Sequence, residues 1–244
     1  MYTPEFRTNK EKVPILSKNE IEKISENFIY DFCPDVLSNP HAVDIEMFIE
    51  NYLGLAFDYH SLSSDKTVLG MTVFCDTNQI IIYNNESKKS LISVKKGTII
   101  IEQSLTDQKQ NGRFRFTCAH EAAHWIFHRY FYLYHSRQPR LFDVEDYYVQ
   151  CKDISKSLSK VTKSFKKSHE WMEWHADYFA SCFMFPKKAI ETLVGTPYEN
   201  TYDFNSLINK VSNTFEMSKE ATFWRLKNLG YLDNFKNKNK LSLF

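Results

Sequence analysis

The feature that most constrains this chain is a pair of histidines four residues apart, with a glutamate directly after the first. They lie in the segment RFTCAHEAAHWIFH, residues 115–128, which contains the pattern H-E-x-x-H. On a helix, His120 and His124 stack one turn apart on the same face. Two neutral imidazoles placed in this way can bind one Zn²⁺, and Glu121 is suited to hold a proton of a nearby water rather than to bind the metal.

The residues around this motif favour a deeply buried helix. Thr117 is the predicted N-cap. The small residues that follow allow close packing: Cys118, Ala119, Ala122 and Ala123. Burying two histidines and a glutamate in such surroundings is unfavourable unless something binds them. The alternative is a chance motif on a structural helix, and a third ligand elsewhere in the chain decides between the two.

A second predicted helix, which starts near Glu170 and ends before Pro186, offers that ligand. Glu173 and Asp177 are four residues apart and share one face of it. We predict that Glu173 completes a His₂Glu zinc site. We also predict that Asp177, one turn further on, accepts the N–H of a ligand histidine and fixes its tautomer.

Three other residues compete for a place at the metal. Glu170 is nearer the start of the second helix, and His175 points about 160° away from Asp177, so His175 and Asp177 cannot both face one ion. His128 follows His124 by one turn on the same face, with its Cα roughly 6 Å further along the axis. We therefore expect His128 to support the ligands from behind or to be structural.

Composition and charge exclude several classes of protein. The chain has 244 residues and a formal net charge of +1, so no overall field favours nucleic acid or an acidic membrane. No apolar run approaches 18 residues, and the N-terminus lacks an apolar signal core. The five cysteines form no C-x-x-C pair, as in proteins with buried thiols in a reducing cytosol. We expect a cytoplasmic protein with no membrane partner.

The order of predicted elements indicates an α+β fold. A capping box at Ser17 and Glu20 starts one helix, and residues 40–53 form a second that Gly54 closes. Short β-rich runs follow at residues 55–59, 67–74, 79–83 and 98–102. They predict a small, mostly antiparallel sheet packed against helices. The last run is favoured as an ordinary core strand, and the alternative is that it lines a cleft and pairs with an extended chain.

The remaining segments are less regular. Residues 136–168 are rich in lysine and serine and predict a solvated helix or an excursion, in which a charged solvent face is favoured over a gate. Two short helices are predicted at 205–214 and 218–229, with Ser218 as an N-cap and Gly230 as a stop. Lys219, Arg225 and Lys227 raise the possibility of DNA contact, although the aromatic residues nearby favour packing or protein recognition.

With both helix motifs in view, the chain resembles the ImmA/IrrE family of bacterial and phage metallopeptidases. The resemblance covers roughly residues 15–230. Its most specific part is RFT leading into H-E-x-x-H, followed by Glu173-x-x-Ala176-Asp177-x-Phe179-Ala180 and then Met184-Phe185-Pro186. Leu69-Gly70, residues 97–101 and the helical tail at 215–230 also match the order of elements in the family.

The resemblance implies a zincin-like, minimal gluzincin core over residues 1–190, interrupted by the Lys-rich excursion at 136–168, and a helical C-terminal region over 191–244. It implies a zinc-dependent cytosolic endopeptidase whose substrates are helix-turn-helix repressors. The implied ligands are His120, His124 and Glu173, and the implied general base is Glu121. The group that stabilises the oxyanion stays open among four residues: Tyr178, Tyr130, His128 and His169.

Two other functions stay open from the sequence. One is a regulatory module that holds a repressor or another partner without cleaving it, and the other is a regulator that contacts DNA through its C-terminal helices. The intact Glu121 favours an enzyme, because a structural zinc site needs no base.

Overall fold

The structure, a computed structural model, places a four-stranded sheet against two long helices. It describes residues 1–84, 86–135, 148–152, 168–199 and 202–233. The helices are α1 (Lys18–Phe32), α2 (Asp35–Ser38), α3 (Ile45–Met47), α4 (Asn111–His135), α5 (Ser168–Met184), α6 (Lys187–Val194), α7 (Phe204–Phe215) and α8 (Lys219–Asn228). The strands are β1 (Ala56–His60), β2 (Val68–Val73), β3 (Thr77–Tyr83), β4 (Lys89–Val94), β5 (Thr98–Glu102) and β6 (Tyr148–Lys152).

The N-terminal helices begin where side chains cap them. The capping box of α1 is present as predicted: Ser17 accepts a hydrogen bond from the backbone N–H of Glu20, and the Glu20 carboxylate accepts one from the backbone N–H of Ser17. The helix predicted at residues 40–53 starts later, because the Asp44 side chain caps α3. A π-helical turn continues it over Phe48–Tyr52, and Gly54 at φ +68° ends it.

The main sheet has the order β1-β5-β2-β6, with β1 parallel to β5 and the other pairs antiparallel. A separate hairpin joins β3 and β4. The fold is thus mixed α+β with a small sheet, as expected. Because β5 has a neighbour on each side, residues 98–102 form an ordinary core strand, which was one of the two alternatives, and neither edge of β5 is open to an extended partner chain.

Two strands were not expected from the sequence. β4 follows a polar turn, and its exposed lysine and serine residues obscure the alternation of apolar and polar residues that predicts a strand. β6 lies inside the Lys-rich segment predicted as a solvated excursion, and it adds to the open edge of β2. The rest of that segment, residues 136–147 and 153–167, lies outside the described residues.

One hydrophobic core joins α1, α4, α5 and the C-terminal helices. Leu207, Phe215 and Leu226 belong to the same buried cluster as Ala119 and Phe179. Residues on both sides of the boundary predicted at residue 190 therefore share a core. Ser218 caps α8 and Gly230 follows its end at φ +85°, both as predicted.

The C-terminal helices are tied to α1 by a buried ion pair. Arg225 is fully buried, and its guanidinium donates to both carboxylate oxygens of Glu22 and to the backbone oxygen of Phe185. Arg225 is therefore not available for the DNA contact that the sequence left open, and its burial agrees with the packing role that the sequence favoured. Among the described residues, no helix combines the length and the apolar character that a membrane span requires.

Candidate metal centre

The H-E-x-x-H motif lies in the middle of α4, which already begins at Asn111. Thr117 is consequently inside the helix, and its prediction as the N-cap is wrong. The helix passes between the sheet and α5, so His120 and His124 are 1% and 0% exposed. Small neighbours make this close packing possible, because Ala119, Ala122 and Ala123 have no side chain beyond Cβ.

α5 brings a carboxylate to these two histidines. Glu173 Oε2 lies 3.4 Å from His120 Nε2, and Glu173 Oε1 lies 3.5 Å from His124 Nε2. The two Nε2 atoms are 3.0 Å apart. The three residues form the only group among the described residues in which at least three His, Cys, Asp or Glu side chains are placed to hold a metal ion.

The spacing of these atoms fits one small divalent ion. Bonds of about 2.0–2.1 Å in a tetrahedral arrangement place ligand atoms roughly 3.3 Å apart. The observed separations of 3.0, 3.4 and 3.5 Å are close to that value. The histidines are buried, whereas the Glu173 side chain is 37% exposed, so the group meets solvent on its carboxylate side.

Asp177 supports the first histidine, as predicted. Its Oδ1 lies 2.9 Å from His120 Nδ1, and both side chains are buried. An ionised carboxylate only accepts hydrogen bonds, so His120 donates from Nδ1 and carries no hydrogen on Nε2, as a metal ligand requires. This contact fixes the tautomer and the ring orientation of His120.

β2 holds Glu121 through contacts that the sequence analysis missed. Thr72 Oγ1 lies 2.6 Å from Glu121 Oε2 and 3.0 Å from the backbone oxygen of Glu121. A Cβ at Gly70 would lie 2.8 Å from Glu121 Oε1 and 2.8 Å from Thr117 Cγ2. A glycine within a predicted strand indicates such a close approach, and Gly70 lies within the β-rich run at residues 67–74.

His128 and His175 lie behind His124 rather than at the metal-binding group. His128 Nδ1 is 3.0 Å from His124 Nδ1, and His128 Nε2 is 3.3 Å from His175 Nδ1. Burial lowers the pKa of His124 and of His128 well below the usual value, and neighbouring histidines lower both further. Burial also lowers the pKa of His175 to about 4. The rings of His128 and His175 are therefore neutral near pH 7.

The other candidates lie elsewhere. Glu170 is exposed and lies outside the metal-binding group. Tyr178 stacks on Trp174 and contacts Lys18 of α1, and burial raises its pKa. Tyr130 is 58% exposed.

No protein-family model matches this chain, and a search of curated proteins finds no match either. The geometry of the site is therefore what bears on its function. It combines two buried imidazoles, the partly exposed carboxylate of Glu173 and the two buried carboxylates of Asp177 and Glu121.

Proposed function

We propose that this chain is a zinc-dependent endopeptidase with a zincin-like core of the kind found in the ImmA/IrrE family. The proposal rests on one observation: His120, His124 and Glu173 lie close together although their two helices are far apart in the sequence. The residue next to His120 is the buried Glu121. A buried group of this composition is costly to fold without a bound ion.

The donor set supports zinc as the metal. Two imidazole nitrogens and one carboxylate oxygen are the protein ligands of one class of catalytic zinc site, which keeps a further position for water or substrate. When bound, Zn²⁺ supplies Lewis acidity that lowers the pKa of water to about 7 and polarises a peptide carbonyl.

Glu121 supplies the acid–base chemistry. It accepts a proton from the attacking water and later donates it to the leaving amine, while Thr72 holds its carboxylate in place. Asp177 keeps His120 in the tautomer that leaves Nε2 without a hydrogen. A site that only bound metal for stability would have no need of a second, separately held carboxylate.

The proposed substrates are proteins, and the family resemblance proposes helix-turn-helix repressors in the cytoplasm as the class to test. The competing function is a module that holds such a repressor without cutting it. The hydrogen bond between Thr72 and Glu121 favours the enzyme, because a binding module has no use for an oriented base.

The test is cleavage by the purified, zinc-loaded protein of an unfolded protein such as labelled casein and of the repressor encoded nearest to its gene. We expect cleavage that a chelator stops and added Zn²⁺ restores. Glu121→Gln should abolish cleavage and retain zinc, whereas Glu173→Gln should lose both.

Glu170→Gln is the matched control, since it removes an exposed acid from the same helix as Glu173 without touching the metal-binding group. It should cleave at the wild-type rate. Full activity in Glu121→Gln would remove that residue from its role. Stable binding of the repressor without any cut would favour the holding module.

A further inference from the structure

Three imidazoles in series lead from the metal centre into the core. They are the rings of His124, His128 and His175, linked by nitrogen–nitrogen distances of 3.0 and 3.3 Å. All three residues are 0% exposed, and the last two rings stack with centroids 5.6 Å apart. Neither His128 nor His175 belongs to the metal-binding group or to the proposed proton transfer.

Metal binding at His124 determines where the hydrogens lie along this series. A ring nitrogen that binds a metal carries no hydrogen, so the single hydrogen of the His124 ring lies on Nδ1. Nδ1 of His124 therefore donates to Nδ1 of His128, which must be without a hydrogen. The hydrogen of His128 is then on Nε2, where it is donated to Nδ1 of His175, and the hydrogen of His175 lies on its own Nε2.

We propose that His128 and His175 are positioning residues that hold His124 in the tautomer that presents Nε2 to the metal. The proposal rests on the metal-binding part of the proposed function and assigns these two histidines a role in it. His128 provides the acceptor for the N–H of His124, and His175 provides the acceptor for the N–H that His128 then carries on Nε2.

The two ligand histidines are supported by different chemistry. His120 donates to the carboxylate of Asp177, which can only accept. His124 donates to a neutral ring that can either accept or donate at the same nitrogen. The orientation of the His124 ring therefore also depends on the residue that follows His128 in the series, which is His175.

Hydrogen bonding at the far end of the series does not by itself maintain this arrangement. His175 Nε2 has no hydrogen-bond partner among the described residues, and the rings of Trp171, Trp174 and Phe127 surround the imidazole. A buried N–H without an acceptor is unfavourable, so hydrogen bonding at this end does not favour the arrangement. Binding of the metal at His124 compensates for it.

The direct test is the tautomer of each ring in the zinc-loaded wild-type protein. Long-range ¹⁵N–¹H correlation spectra of protein labelled with ¹⁵N-histidine report which ring nitrogen carries the hydrogen. We expect it on Nδ1 in His124 and on Nε2 in both His128 and His175. A hydrogen on Nδ1 of His128 in the zinc-loaded protein would overturn the proposal.

A second test measures zinc affinity by competition with a chelator. His128→Leu removes the acceptor and should weaken zinc binding about 10–100-fold. His128→Asn should restore most of the affinity, because its side-chain oxygen can accept from His124 Nδ1. Phe127→Leu is the matched control, since it changes packing against the same rings without removing a hydrogen bond, and it should bind zinc as the wild type does.

Wild-type affinity in His128→Leu, or equal losses in His128→Asn or Phe127→Leu, would overturn the proposal. Should His128→Leu fail to fold, the tautomers of the wild-type protein decide alone. If adding zinc leaves the ¹⁵N signals of the His120 and His124 rings unchanged, both metal binding and this proposal are overturned. Zinc binding with the expected tautomers but without cleavage overturns only the peptidase.

Discussion

Thr72 Oγ1 lies 2.6 Å from Glu121 Oε2, so a strand residue holds the carboxylate that follows the first histidine of the motif. Both side chains are buried. A hydrogen bond to a charged group contributes about 1.5–3 kcal/mol. If that energy holds the proposed general base in its working position, its loss should slow the proposed proteolysis with little effect on the candidate metal ligands.

We therefore expect Thr72→Val to lower kcat/KM for peptide cleavage roughly tenfold to a hundredfold while zinc content stays at one per chain. Thr117→Val is the matched control, because Thr117 Oγ1 is buried on the same side of α4 but makes no hydrogen bond among the described residues. Steady-state kinetics and metal analysis of both variants check this. Equal losses in the two variants would show that packing, rather than the hydrogen bond, is responsible.

Gly70 leaves no room for a side chain above Glu121. A Cβ there would lie 2.8 Å from Glu121 Oε1, so Gly70→Ala should push the carboxylate away from its position. A displacement on the order of 1 Å at a reacting group can cost about a hundredfold in rate. We expect a loss of that size in kcat, with zinc affinity retained because the atoms nearest to the added methyl group belong to Glu121 and Thr117 and not to His120, His124 or Glu173.

The same Cβ would meet Thr117 Cγ2 at 2.8 Å, and this allows a control. Adding Thr117→Ser to Gly70→Ala removes that methyl group and should recover stability in thermal unfolding without recovering activity. Recovery of both would mean that the loss came from the helix shifting as a whole and not from Glu121.

The group that could hold a metal ion was predictable from the sequence because each helix carries its own periodic information. Spacings of four residues place His120 with His124 and Glu173 with Asp177, and such spacings are local properties of a helix. The contacts of Thr72 with Glu121 could not be predicted in this way. They join residues 49 positions apart, and which strand lies over α4 depends on the packing of the whole sheet.

His175 shows a different limit of sequence analysis. The angle between His175 and Asp177 around the helix correctly places the two residues on different faces. That angle does not reveal which side chain of another helix His175 contacts. The contact with His128 arises from the packing of α4 on α5. β6 was missed because the Lys-rich composition around it indicates solvent exposure, whereas its strand structure comes from pairing with β2.

Asp177 should control zinc affinity through His120. Asp177→Ala removes the acceptor for His120 Nδ1 and should weaken zinc binding about 10–100-fold in competition with a chelator. Asp177→Asn keeps a side-chain oxygen that can accept, so it should lose much less. If alanine and asparagine weaken binding equally, the negative charge of Asp177 matters more than its role as acceptor.

The buried pair of Glu22 and Arg225 should make stability depend on pH. Burial raises the pKa of Glu22, but the hydrogen bonds and positive charge of Arg225 outweigh that effect and hold the pKa below its usual value. A carboxylate with a depressed folded-state pKa stabilises the fold above its unfolded pKa of about 4.3, and this contribution is lost as pH falls through the folded-state value. Glu22→Gln leaves Arg225 buried without its partner charge and should cost about 3 kcal/mol near pH 7.

The difference in unfolding free energy between the wild type and Glu22→Gln should therefore shrink as pH is lowered below about 4, measured by urea unfolding with a chelator present. Glu26 provides a control of opposite sign on the same helix. Burial and the charge of Glu22 raise its pKa, so its ionised form opposes folding. Glu26→Gln should leave stability near pH 7 unchanged or raise it. A pH-independent difference between wild type and Glu22→Gln would mean that the carboxylate stabilises the helices by packing alone, without a contribution from its charge.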